Sequence, residues 1–364
     1  MPDPDWDHRA RLSDDAIAMA RRIGRPATLA IVLNQRFGAL WGPRTLSERR
    51  AIAAEATKVA ERVDDRTLAF YSPNFGAHAA MEAGELEQAD AFLARAGAVA
   101  DELGQPTLHW FQTVARAKRA LITEAPSEGE QLAFQALELG QSAGQDDAFS
   151  WMATQVFVAK LNGGRLEELL EIIDERRELL PEGSTARRVA DVMAATALCE
   201  AGHSADARRV FDRGLAQGLA DLPHNWAALA IPALCALVCA HLDDAPRAKT
   251  LYTLIGPYAH RYVDMGPAWL GSASHYLGLL SATLDRLDEA NAHFSRAADA
   301  HRAIGATAWL ARTQLDWAAV LLNRSSAGDA SRAAELLREA LVAARQLGLE
   351  AAERRAGSLL ERCN

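Results

Sequence analysis

The side chains best suited to chemistry in this 364-residue chain are few and scattered. His78 and Glu82 stand four apart, which on a helix places them one turn apart on a single face. Such a pair suits proton transfer or metal ligation. No third ligand can be identified, and polar residues at this spacing also form ordinary surface hydrogen bonds. Tyr71 shares that face and completes, with His78, Glu82 and His275, the set that an acid–base reaction would use. His275 is followed by Tyr276. Adjacent helical residues diverge, so His275 reads as facing a groove and Tyr276 as packing. His293 and His301 read as surface residues of the following helix. Gly271-Ser272-Ala273 is expected within a helix, where a serine cannot form the strained strand-to-helix turn of a hydrolase nucleophile. Gly163-Gly164-Arg165 follows a helix and lacks the lysine of a phosphate-binding loop. Cys199, Cys235, Cys239 and Cys363 fit neither a zinc ribbon nor a secreted disulfide framework, and read as reduced thiols, mostly buried. No catalytic residue, metal or cofactor is assigned.

The elements that must position these residues are helices. Alanine and leucine dominate a composition that is 49% hydrophobic and only 6% aromatic, a bias that favours helix. Residues 1–12 read as a flexible leader that is too polar for a secretory signal. Residues 13–364 then alternate helix, short break, helix, with no period-two alternation to mark a strand. Ser13, Thr45 and Ser184 are expected N-caps, and Gly84, Gly104, Gly144 and Gly202 are expected stops. The clearest pair spans Gly266 to Gly305, with helices predicted over Pro267–Leu284 and Leu287–Ile304. A helix over His224–His241 must be kinked by Pro232 or begin late. No apolar run reaches the roughly 18 residues needed to span a membrane. A net charge of −9 argues against nucleic acid, which needs a basic footprint. The expected location is the cytoplasm.

The pairs superimpose on a short pattern. A glycine or polar residue at the turn is followed by alanine, then a bulky apolar residue, then a small one. Gly84, Ala89, Leu93 and Ala96 fit it, as do Gly202, Ala207, Phe211 and Gly214. Asp285, Ala290, Phe294 and Ala297 fit with Asp in place of Gly. Small residues let paired helices approach, and the bulky one fills the groove between pairs. About eight pairs of roughly 34–40 residues are expected. This pattern resembles the tetratricopeptide repeat, which implies an all-α right-handed superhelix, one continuous α-solenoid domain. The run from LYTLIGPYAHRY through WLGSASHYLGLLSATLDRLDEANAHF to AWLARTQLDWAAVLL is also similar to the C-terminal arm of bacterial maltose-activator-type ATPase regulators (the LuxR family) and of repeat-bearing adenylate cyclases. In those families the arm is a sensor or an interaction surface. The chain has neither their phosphate loop nor a DNA-binding helix-turn-helix, so only the arm is implied.

In such a superhelix the first helix of each pair lines the concave face. The repeat register aims Tyr71, Asn74, His78, Met81, Glu82, Phe111, Val114, Lys118, Trp151, Thr154, Val158, Val192, Thr196, Glu200, Ser272, His275, Thr313 and Trp317 inward. Aromatics with a few polar anchors compose a ligand groove. The expected function is therefore a non-catalytic binding, scaffold or sensor protein holding a peptide, a partner helix or a small molecule. The alternative is a cofactor-independent enzyme, of the kind used in natural-product biosynthesis, working by acid–base catalysis in an aromatic lumen. Nothing in the sequence fixes the oligomeric state.

Overall fold

A computed structural model describes residues 6–63, 65–215, 218–219 and 225–363. Eighteen α-helices account for most of them. They are α1 (Trp6–Ile23), α2 (Pro26–Ala39), α3 (Leu46–Ala60), α4 (Arg66–Ala83), α5 (Leu86–Leu103), α6 (Pro106–Thr123), α7 (Pro126–Ser142), α8 (Ala148–Gly163) and α9 (Leu170–Glu178). The second half holds α10 (Thr185–Glu200), α11 (Ser204–Gly214), α12 (Ala230–Leu242), α13 (Ala245–Ile255), α14 (Ala273–Thr283), α15 (Leu287–Ala303), α16 (Thr307–Arg324), α17 (Asp329–Leu347) and α18 (Glu350–Glu361). The fold is an all-α helical repeat in which each helix packs chiefly on its neighbours in sequence, as in a solenoid.

The repeat pattern works as its residue sizes dictate. Ala89, Leu93 and Ala96 on α5, Ala207 and Phe211 on α11, and Ala290, Phe294 and Ala297 on α15 are all buried. Gly278 on α14 faces the ring of Phe294, and a Cβ at Gly278 would stand 2.9 Å from it. No larger residue lets the two helices come so close. The side chain of Asp65 accepts from the amides of Thr67 and Leu68 to start α4, and Gly84, at φ 76°, ends it.

Four boundaries bear on the sequence expectation. Helix α1 begins at Trp6, inside the segment read as a leader; residues 1–5 lie outside the described residues. Helix α12 begins at Ala230, the later of the two starts that the sequence allowed, so Pro232 sits in its first turn, where its missing N–H removes no helical bond. His224 lies outside the described residues. The third is a correction, because two short strands are present. Tyr262–Asp264 (β1) and Trp269–Ser272 (β2) pair antiparallel. The helix expected from Pro267 therefore starts only at Ala273. Pro267 lies in the hairpin turn beside Gly266, whose φ of 70° suits a turn and not a helix. Fourth, a 3-10 turn over Leu166–Leu169 precedes α9, where the sequence pattern suggests one helix over Leu166–Leu179.

The hairpin decides what the inner face of the array becomes. Val263, Met265, Ala268, Trp269 and Leu270 are completely buried. They pack with α4, α6, α12, α14 and α15, so the chain's own hairpin fills part of the concave face. The array also closes on itself. Arg312 of α16 donates to the Leu161 carbonyl at the end of α8 and to Glu200 of α10, both at 2.8 Å. Gly164, just after α8, lies against Ala351 of α18.

Candidate functional site

The polar residues of α4 and α6 meet the hairpin. Lys118 of α6 is wholly buried and forms an ion pair with Asp264 of β1. Its ammonium also donates to the Gly266 carbonyl at 2.9 Å. The Trp41 indole donates to Asp264 at 2.8 Å, and the Gly266 amide donates to the same carboxylate at 3.1 Å. Gln155 of α8 donates to the Pro267 carbonyl at 2.8 Å. A carboxylate from the chain itself thus occupies the polar anchors of this part of the groove.

His78 and Glu82, read from the sequence as a surface pair, are both buried, and they do not bond each other. Glu82 is paired with Arg49 of α3 at 2.6 Å. Burial pushes the Glu82 carboxyl up to about 7, opposed by the Arg49 charge. Arg49 also stacks over Phe37 and Trp41. His78 packs edge-on against Trp41, and its Nδ1 has no protein partner; nor has the Asn74 amide nitrogen. Burial holds the His78 ring neutral, helped by the positive charges of Lys118 and Arg49.

Nearer the helix starts, the inner residues are only half covered. Tyr71, Phe111 and Trp151 come from three successive first helices, α4, α6 and α8. Their rings meet edge to face, with centroids 5.7 and 5.9 Å apart. This aromatic ledge is a stretch of the expected groove that the hairpin leaves uncovered. Thr154 is also only partly buried, but its hydroxyl is taken up by the Ser150 carbonyl at 2.8 Å.

His275 and Ser272 belong to a separate, buried chain of hydrogen bonds. The Ser272 amide donates to His301 Nε2 at 2.9 Å. That leaves the proton of the neutral ring on Nδ1, which donates to Thr313 Oγ1 at 3.2 Å. The Thr313 hydroxyl in turn donates to His275 Nδ1 at 3.1 Å. His275 Nε2–H then points at Asp316, whose carboxylate lies 3.6 Å away. Burial draws His275 down to about 4, Asp316 opposing, and holds His301 well below the ordinary histidine range. His301 is therefore a core residue, and His293 is largely buried against Tyr252 at 3.0 Å; both correct the surface reading. Trp317 is buried too, donating to Asn291 at 2.7 Å under the Arg332 guanidinium. The four residues of the acid–base alternative do not converge. His275 contacts Thr313, Phe294 and Trp309, whereas His78 and Glu82 contact Trp41 and Arg49.

Another opening lies at the seam where α16 and α18 meet α8, α10 and α12. A cavity of about 640 Å³ opens there. Its charged wall holds two ion pairs, Arg312 with Glu200 at 2.8 Å and Arg355 with Asp316 at 2.6 Å. Leu161, Leu237, Leu279 and Leu315 supply its apolar wall, and Thr196, His241 and Asn162 also border it. Asp316 sits below the ordinary aspartate range, because the charges of Arg355, His275 and Arg312 outweigh its burial. Thr196 and Glu200 carry the inward register read from the sequence. Arg312, Asp316 and Arg355 escaped that reading. Their role depends on the array closing, and no local pattern in the sequence marks such closure.

No group of three metal-ligating side chains occurs among the described residues, and no helix is long and apolar enough to cross a membrane. Neither a scan against protein-family models nor a search of curated proteins finds a match to this chain.

Proposed function

We propose that this chain is a non-catalytic binding protein whose seam cavity takes a small polar molecule. The observation that carries the reading is the cavity itself. Its volume of about 640 Å³ lies within the roughly 300–1,000 Å³ of small-molecule sites, and like them it combines an apolar wall with a few fixed polar groups. Arg312, Glu200, Asp316 and Arg355 are already held in pairs, so the wall is ordered before any ligand arrives. Each guanidinium is matched by a carboxylate. A neutral or zwitterionic ligand disturbs that balance less than a multiply charged one. The ligand would touch both α8–α10 and α16–α18 and so hold the closed array together, the behaviour of a sensor arm. The likeness to the arms of bacterial regulators points the same way. A cytoplasmic setting suits the four cysteines, which are all free thiols.

Thermal-shift and native mass-spectrometric screening against amino acids, short peptides and nucleosides tests the proposal. A ligand specific to the folded state raises apparent stability by mass action. Ala240→Phe, which fills the cavity from a half-buried position, should abolish binding. A ligand whose binding survives both Ala240→Phe and Arg312→Met sits elsewhere, and the proposal fails.

A further inference from the structure

Helix α1 carries two apolar stripes, and the fold uses only one. Trp6, Ala10, Ile17 and Ala20 turn towards the array, and the first three pack with Leu33, Phe37 and Ile52. A second stripe of Leu12, Ala16, Met19 and Ile23 runs along an adjacent face. Leu12, Met19 and Ile23 are 55%, 54% and 51% exposed. Their spacing of four, three and four is that of the seam positions of a coiled coil. Ile31, on the neighbouring helix α2, is exposed as well.

The charges beside the stripe identify its occupant. Asp15 and Arg22 are seven apart and flank the stripe on its outer side. Neither has a charge partner among the described residues, whereas nearby Arg21 pairs with Glu55 and Asp14 with Arg36. In an antiparallel pair of identical helices, Leu12 lies opposite Ile23 of the second copy and Ala16 opposite its Met19. Asp15 then falls beside the second copy's Arg22, and Arg22 beside its Asp15. The stripe and its charges are self-complementary under a two-fold axis, as an isologous interface requires. The small Ala16 leaves room for the long Met19 that crosses it.

We propose that α1 is a homodimer interface, with two copies of this chain packing antiparallel through Leu12, Ala16, Met19 and Ile23 and locked in register by two Asp15–Arg22 pairs. Sedimentation of the full chain from about 1 to 200 µM tests it, with circular dichroism confirming that each variant is folded. The wild type should pass from monomer to dimer across that range, and Met19→Glu should remain monomeric. Asp15→Arg alone and Arg22→Asp alone should each weaken association at least ten-fold by placing like charges together. The double variant Asp15→Arg/Arg22→Asp should restore it. A wild type that stays monomeric at 200 µM overturns the proposal, as does a dimer indifferent to Met19→Glu. Failure of the double variant to recover overturns the antiparallel register.

Discussion

Lys118 and Asp264 lie 146 positions apart in the chain and form a buried ion pair. Around that pair the first helices of the array are fastened to the hairpin of the second half. Trp41 and Gly266 contribute further donors to the same carboxylate, and the Gly266 carbonyl accepts from the same ammonium.

Removing one member leaves the other charge buried and unmatched. Asp264→Ala should therefore lower the unfolding free energy by about 3–5 kcal/mol. Replacing both partners, as Lys118→Met with Asp264→Leu, should recover most of that loss. Urea unfolding followed by circular dichroism measures each. A single variant that costs under about 1 kcal/mol would show that water reaches the pair.

Acid should weaken the fold well before its exposed carboxylates are protonated. His275 and His293 are held down to about 4, and His78 and His301 well below 6.5, burial being the main cause in each. In the unfolded chain they take up protons near pH 6.5. Their contribution is complete above that pH and declines as pH falls, by about 1.4 kcal/mol per pH unit for each proton the unfolded chain holds in excess. Glu82 acts in the opposite direction. Its folded value of about 7 against 4.5 means that the folded state keeps an extra proton between those limits, so its contribution is lost as pH rises through them. Four histidines outweigh one carboxyl, and urea midpoints should fall steadily from pH 7 to pH 5. Midpoints that stay flat across that interval would mean that the histidines are already protonated in the folded protein.

The repeat faces were legible in the sequence because their contacts are local. Ala89, Leu93 and Ala96 sit at helical spacing, and burial follows from spacing alone. The hairpin was not legible. Strands of three and four residues carry too little alternation to register, and the Gly266–Gly271 segment sits between two strongly helical patterns. The seam was hidden for another reason. Arg312 and the Leu161 carbonyl are 151 positions apart, and no neighbouring residue records such a contact. His301 was misread because an outer helix was expected to face water, whereas the hairpin inserts against it.

The close approach at the seam makes Gly164 a sensitive position. Its φ is 65°, and a Cβ there would stand 2.3 Å from that of Ala351. Gly164→Ala should push α18 away from the end of α8. Hydrogen exchange should rise over residues 350–361, and small-angle scattering should show a larger radius of gyration. Unchanged exchange in α18 would mean that the two segments do not touch in solution.

Gly271 tests the hairpin in the same way. A Cβ at this position, where φ is 75°, would meet the Trp309 ring at 2.6 Å and His301 at 3.0 Å. Gly271→Ala should destabilise the fold by more than about 2 kcal/mol, since neither buried ring has space to retreat. A melting temperature within a degree of wild type would count against the placement of Trp309.

Order of synthesis gives the Lys118–Asp264 pair a further meaning. The ribosome delivers the lysine first and its carboxylate 146 residues later. At about 5–20 residues per second that interval is roughly 7–30 s. Throughout it Lys118 lacks the carboxylate that it pairs with in the folded chain. A simple repeat array can settle pair by pair as it emerges, but here the inner surface of the early helices is finished only when a much later segment arrives. The Lys118 site is therefore complete only once Asp264 has been made.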